Sequence, residues 1–380
     1  MKSREYNIGT IVLWPNYSEY LEDVIFSTKE AFYILDIYEI NWDKDKIFEN
    51  FYRFYGDRLS TRSIKEKCSK GTSFYLLCFI DKNPKYSYVN TARGFDKVNI
   101  NFFQYKRNLR EKFSTKFGIH GSNNIEETKR DLSLLLGYQH YHLIAKKKFQ
   151  GEIKKISRNI SGSDGWEDMR EFFITMNDVI PYSLLKNFED FIPELASGND
   201  IDILVESVEK FSLIAKAVKK NKFNNSSTYS ILINGQYISF DVSFLGDGYF
   251  DEPWQRDCLM DANISDLTYF KTLNHENQYY FLLYHVLIHK KVIPKKYVKF
   301  FKKDIETLKQ TLFDFLHSNN YKITEPKDLS IYFNKNNGGD IKLSRARNLK
   351  RRRGLVNLVK KIIFKLVNPK FLFQSLKYEK

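Results

Sequence analysis

Three cysteines in 380 residues, Cys68, Cys78 and Cys258, give no disulfide framework, and no two stand at a metal-binding spacing. A reducing, cytoplasmic compartment is the expectation. The opening MKSREYNIGT lacks the apolar core of a signal peptide. No apolar run approaches the ~18 residues a membrane-crossing helix needs, so no spanning segment is expected. Low-complexity stretches and internal repeats are missing too. Acidic charge is scarce at one end: residues 341–380 hold a single acid, Glu379, against thirteen Lys and Arg. Most of the formal net charge of +15 therefore belongs to this tail. A chain coated throughout with positive charge for nucleic acid is not what the sequence describes.

Hydrophobic residues make up 42% and aromatic residues 16% of the chain, enough for sizeable cores in two domains. GTIVLW (9–14) and SFYLLCFI (73–80) read as buried strands. EYLEDVIFSTKEAF (19–32), DKIFENFYRFYG (45–56) and EETKRDLSLLLG (126–137) read as amphipathic helices, the last stopped by Gly137. NISGSDG (159–165) is the candidate domain boundary, followed by a helix over 166–178. Further on, IDILV (201–205) is a strand followed by a helix. STYSILING and QYISFDVSF (227–244) are two strands turned at Asn234–Gly235, and QYYFLLYHVLIHKK (278–291) is a helix. The resulting organisation is mixed α+β or α/β: a first domain over 1–147, a linker and helix over 148–178, a second domain with a helical extension over 179–335, and a basic amphipathic tail over 341–380.

In SGNDIDILV (197–205) two aspartates, Asp200 and Asp202, stand at i and i+2, so on a strand both point to one face. Ile201, Ile203 and Val205 point to the other. SFDVSF can bring Asp241 alongside on a neighbouring strand. Three carboxylates on one side call for a hard divalent cation, Mg²⁺ or Mn²⁺, which also bridges substrate phosphates. These residues, over roughly 181–290, resemble the nucleotidyltransferase (polymerase-beta-like) superfamily, whose core carries Asp-x-Asp on one strand and a third Asp on a later one. The resemblance implies a nucleoside triphosphate substrate and metal ligation by Asp200, Asp202 and Asp241. The family's Gly-Ser phosphate loop lies some ten residues before the acids. Here Ser197–Gly198 directly precede them, and Lys186 is the candidate to supply positive charge to a phosphate. GDGYFDEPW (246–254) is a candidate lid, and His285 and His289 share a helix face.

GIHGSNNIEETKRD (118–131) resembles the active-site segment of nucleoside diphosphate kinases, in which His-Gly-Ser enters a helix and the histidine carries a transient phosphate. His120, Gly121 and Ser122 match, and Glu126 and Asp131 fall at the acidic positions. The resemblance spans about 7–137 and implies a ferredoxin-like, kinase-type domain with His120 as phosphoryl acceptor and Arg110 on phosphate. Trp14 stands where those kinases have lysine, and Phe117 where they have asparagine. In 91–110, Arg93, Lys97, Lys106, Arg107 and Arg110 are further phosphate candidates.

RARNLKRRRGLVNLVKKIIFKLVNPK (345–370) joins a cationic block to an amphipathic helix, a pattern suited to an anionic membrane surface. Its aromatics lie beside aliphatics, which suits a membrane interface better than base stacking. The expectation is a metal-dependent nucleotidyl- or phosphoryl-transferase acting on a small molecule or glycan precursor, peripheral to the membrane, as surface-polysaccharide assembly would need. An RNA-directed nucleotidyltransferase and a non-catalytic scaffold are the alternatives.

Overall fold

The computed structural model describes residues 7–56, 60–91, 94–186, 200–220, 227–264, 269–290, 301, 304–328 and 330–334. Ser197, Gly198, Arg93 and the tail over 341–380 lie outside them. The fold is mixed α+β with several sheets. The chain divides into two compact units: Met1–Lys219 with Thr228–Leu245 and Arg256–Asn274, and Lys220–Ser227 with Gly246–Gln255 and His275–Lys380.

The first unit opens with β1 (Ile8–Leu13), α1 (Leu21–Ala31), β2 (Tyr33–Asn41), α2 (Ile47–Tyr55), α3 (Thr61–Cys68) and β3 (Ser73–Ile80). A hairpin of β4 (Tyr86–Thr91) and β5 (Gly94–Asn99) forms a separate two-stranded sheet. α4 (Ile100–Lys112), β6 (Ile119–Gly121), α5 (Ile125–Leu135), α6 (His140–Ile144) and β7 (Lys154–Ser157) follow. The five-stranded sheet has the order β6-β1-β3-β2-β7. β3 runs antiparallel between β1 and β2, β6 antiparallel along β1, and β7 parallel to β2.

β1 is buried at all six positions because helices cover both faces. Ile11 and Leu13 pack with Leu21, Val24 and Ile25 of α1 and with Phe102, Tyr105 and Leu109 of α4. Ile8 and Val12, on the alternate face, pack with Phe51 and Phe54 of α2 and Leu132 and Leu135 of α5. The continuous apolar run in the sequence is therefore a central strand facing two cores.

The second sheet begins after α7 (Met169–Val179). It comprises β8 (Tyr182–Lys186), β9 (Ile201–Val205), β10 (Val218–Lys219), β11 (Thr228–Ile233), β12 (Gln236–Phe244), β13 (Asn263–Ile264) and β14 (Lys271–Thr272), in the order β10-β11-β12-β9-β8-β14-β13. α8 (Val208–Ala215) follows β9, and α9 (Glu252–Met260) follows β12. Ile201, Ile203 and Val205 enter a core with Phe172, Phe173 and Phe240, as their alternation predicts. Asn234 and Gly235 both take positive φ, the conformation a two-residue hairpin turn requires.

The boundary expected at 159–165 is instead bonded to elements on both sides, within one compact unit. Arg53 of α2 is 1% exposed. Its Nη2 donates to Ser161 O at 2.6 Å and to Ile214 O, at the end of α8, at 2.7 Å. Its Nη1 donates to Ser163 Oγ at 2.8 Å and Ile160 O at 3.5 Å. Ser163 Oγ in turn donates to Asn50 Oδ1 at 2.9 Å. The glycines and serines supply turns and accessible carbonyls here, which is why the segment resembles a linker in sequence. Gly162, at φ +74°, lies so close to the Trp166 ring that a Cβ would meet it at 2.4 Å.

In the second unit α10 (His275–Ile288) and α11 (Ile305–Ser318) pack together. Trp254 Nε1 donates to Asn277 Oδ1 at 2.8 Å, and its ring stacks on Tyr321. Among the described residues no helix is long and apolar enough to cross a membrane.

Arg53→Met should cost at least about 3 kcal/mol of unfolding free energy, because buried carbonyls at 160, 161 and 214 lose their donor. Denaturant unfolding measures this; a loss under about 1 kcal/mol would show that the segment is not held through this residue.

Candidate functional site

Asp202 on β9 and Asp241 on β12 are direct partners in parallel register, so their side chains leave the same face of the sheet. The row continues in both directions. Asp241 stands opposite Thr228 on β11, and Asp202 stands opposite Lys186 on β8. The side chains thus line up as Thr228, Asp241, Asp202, Lys186 across four strands. Asp200 lies immediately before β9 and is exposed.

Lys186 reaches this row through a break in pairing. Leu184 pairs with Ile203, but Lys186 pairs with Asp202, leaving Leu185 as an extra, bulged residue. Without that bulge Lys186 would stand opposite Ile201, whose side chain enters the core. The bulge re-aims the lysine to the acidic face. Its Nζ lies 3.0 Å from Asp202 Oδ1, with both side chains 12% exposed.

Burial is the largest influence on Asp202 and raises its pKa from 3.8 to about 6. The Lys186 ammonium opposes the rise, while the neighbouring carboxylates of Asp241 and Asp200 add to it. Asp241 and Asp200 therefore each lie within electrostatic reach of Asp202, and carboxylate oxygens are of the type that suits a hard divalent cation. They are not gathered around a common point. Among the described residues no group of three or more His, Cys, Asp or Glu side chains is close enough to share an ion. Asp202 already has a cation in contact with it, the ammonium of Lys186.

His120 lies on β6, opposite Val12 of β1. Its Nε2 is 2.6 Å from Oδ2 of the fully buried Asp131, and Arg130 Nη1 donates to the other oxygen, Oδ1, at 2.9 Å. Phe54 and Tyr55 meet the imidazole in T-shaped contacts. Burial lowers the His120 pKa below its ordinary 6.5, with Asp131 opposing. A neutral ring held this way carries its proton on Nε2 and presents Nδ1 as the unprotonated nitrogen. Trp14, buried and donating from Nε1 to Tyr55 Oη at 2.8 Å, packs an aromatic cluster where the kinases have a lysine. Glu126 is exposed, and Glu127 instead accepts from Asn123 N at 2.8 Å.

Arg110 has an identifiable local task. β6 is an edge strand, and its residues 119 and 121 turn their carbonyls away from β1. Arg110 Nε and Nη2 both donate to Ile119 O, at 2.9 and 2.8 Å, and Lys106 Nζ donates to Gly121 O at 2.9 Å. Lys97 and Arg107 are exposed, on β5 and α4. In the second unit His285 Nδ1 pairs with Tyr249 Oη and His289 Nε2 with Tyr249 O, each at 2.6 Å. Both rings are buried and fasten Tyr249 to α10 and to the residue just past its end.

Sequence reasoning missed Thr228 and the bulge at Leu185. A strand-pairing register carries both, and no single-strand pattern records it.

The Asp202 carboxyl binds its proton more tightly folded than unfolded, so between pH 4 and 6 the native chain takes up protons. Its contribution to stability is then greatest at low pH and declines through this window. Relative to wild type, Asp202→Asn should gain stability as pH rises from 4 to 7, by about 1.4 kcal/mol for each tenfold by which folding tightens proton binding at this carboxyl. A flat difference in chemical unfolding would contradict this. By NMR, His120 should titrate below 6.5. Asp131→Asn should lower the midpoint further, since Asp131 favours the charged ring; a rise would disprove the pairing. Comparison of the chain with family models, curated proteins and solved structures returned no match.

Proposed function

We propose that the first unit is a metal-dependent nucleotidyl- or phosphoryl-transferase built on two domain types. The order β6-β1-β3-β2, with α1 and α4 on one face, supports a ferredoxin-like, kinase-type N-terminal domain. The antiparallel β8–β9 pair followed by the parallel β12 supports a nucleotidyltransferase core. One observation carries the reading: Asp241, distant in sequence, stands in register beside Asp202 on the same sheet face.

Asp200, Asp202 and Asp241 are the acids that would serve Mg²⁺ or Mn²⁺ once drawn together, since as they stand they do not share an ion. When bound, the ion supplies charge neutralisation at phosphate oxygens and activation of the attacking oxygen. The protein's own residues set the conditions. The covered sheet position of Asp202 strengthens electrostatic interactions at its carboxylate, and Lys186 supplies a cation beside it. The substrate class is a nucleoside triphosphate with a small-molecule or glycan acceptor. A basic tail with an apolar stripe supports work at an anionic membrane surface, on lipid-linked intermediates of polysaccharide assembly. In the N-terminal domain, the Asp131-held imidazole of His120 supports phosphoryl acceptance at Nδ1. The Trp14 cluster disfavours a free nucleotide there.

The ion pair between Lys186 and Asp202 favours a second reading, a scaffold in which the acids are structurally neutralised. Pyrophosphate or phosphate release from a panel of nucleoside triphosphates with Mn²⁺ separates the two. Asp202→Asn with Asp241→Asn should reduce turnover by about a thousandfold or more, the loss expected when electrostatic stabilisation of the transition state is removed. Turnover equal to wild type in the double variant, or none in either protein, would favour the scaffold.

A further inference from the structure

The hairpin of β4 and β5 forms a two-stranded sheet of its own, and its two faces differ in kind. Pairing places Ser87 with Val98 and Val89 with Asp96 on one face. That face is fastened down. Val98 is fully buried, Asn124 Nδ2 donates to Asp96 Oδ2 at 3.2 Å, and Asn99 N donates to Asn123 O at 2.8 Å. Tyr86, Tyr88, Asn90, Phe95 and Lys97 stand on the other face. Its aromatic residues grow more exposed toward the end of the hairpin, from 42% at Tyr86 to 61% at Tyr88 and 71% at Phe95. Tyr88 and Phe95 stack on each other with ring centroids 5.5 Å apart, and Lys97 Nζ lies 5.5 Å from the centre of the Tyr86 ring.

A two-stranded hairpin is marginally stable in water, and wet aromatic rings add little to it. Exposed apolar residues scattered singly are ordinary, whereas three rings on one small face mark a contact surface. The charge of the face narrows the partner. Asp96, the one acid in residues 82–99, belongs to the fastened face. The outward face is therefore aromatic and cationic, with Lys85 exposed just before β4. Rings with an ammonium beside them suit the headgroup layer of an anionic bilayer, where aromatic side chains settle and cations meet lipid phosphate. The bases of a single-stranded nucleic acid need open ring faces, and Tyr88 and Phe95 already turn one face each toward the other.

We propose that the outward face of the β4–β5 hairpin docks on an anionic bilayer, with Tyr88 and Phe95 seated among the headgroups and Lys97 against lipid phosphate. This deepens the reading of work at a membrane surface and rests on it. Stable attachment to a bilayer takes two weak signals acting together. The basic amphipathic sequence of 345–370 supplies one and the hairpin the other.

Cosedimentation of the full chain with vesicles of phosphatidylcholine and phosphatidylglycerol, against phosphatidylcholine alone, tests this. Tyr88→Ser with Phe95→Ser should weaken binding about tenfold, and Lys97→Glu should weaken binding to the anionic vesicles. The native tryptophans Trp14, Trp42, Trp166 and Trp254 are all buried, so the indole introduced by Phe95→Trp reports on the hairpin alone. Its emission should shift to the blue and be quenched by brominated lipid. This readout also guards against a variant that does not fold, because position 95 is open enough to take the larger ring. Wild-type binding that persists in the double serine variant, with the introduced indole unquenched, would overturn the hairpin contact. The tail reading would then stand by itself if Lys360→Glu with Lys361→Glu abolished binding. No wild-type binding to either vesicle would overturn both. Binding of a single-stranded RNA oligonucleotide, or self-association in sedimentation, that disappears in the double serine variant while vesicle binding does not would overturn the lipid in favour of that partner.

Discussion

Two carboxylates side by side on adjacent parallel strands form an arrangement that cannot be left to itself. Asp202 and Asp241 occupy one position in the ladder, and Asp202 is nearly buried. Burial penalises the charge, the neighbour repels it, and both push the group toward holding its proton. Much of the surrounding local structure follows from this conflict. A packed bulge brings in Lys186, and Thr228 completes the polar row on the far side of Asp241. A simple apolar row would be easier to fold.

A different kind of polar chemistry holds the five-stranded and seven-stranded sheets within one unit. Arg53 is a buried guanidinium surrounded mainly by backbone carbonyls rather than by carboxylates. It serves loop 159–165 and the end of α8 with the same planar fork. Ser133 of α5 bonds Asp178 of α7 nearby, adding a side-chain link between helices belonging to the two sheets. The sheets are thus joined through directional hydrogen bonds in addition to apolar contact.

How much of this is legible in the sequence depends on whether a feature is local. β1, β3 and β9, the helices α1, α2, α5 and α10, and the Asn234–Gly235 turn all announce themselves by periodicity or turn chemistry. β2, β7 and β8 do not stand out. β7 pairs only along the edge of a sheet, and YSLLK is too short to show alternation. Loop 159–165 has linker composition, and only the distant Arg53 reveals that its carbonyls are needed inside. Asp200 and Asp202 can be named from spacing, because period two places i and i+2 on one face, although Asp200 falls just before β9, and Asp241 comes from the separate strand SFDVSF. That Lys186 sits against Asp202 depends on a bulge, and a bulge depends on the partner strand. The kinase resemblance puts Arg110 on phosphate; in the structure its Nε and Nη2 both donate to a carbonyl of the adjoining strand.

That last contact has a consequence for how this protein behaves in crowded solution. An edge strand whose outward carbonyls are open invites another chain to add a strand of its own. On β6 the carbonyls of Ile119 and Gly121 already accept from two cationic side chains of α4. An incoming strand would find those acceptors occupied and two charges in its way. The pair Lys106 and Arg110 therefore guards this margin of the sheet against unwanted self-association, a protective duty performed by residue types that first suggest anion binding.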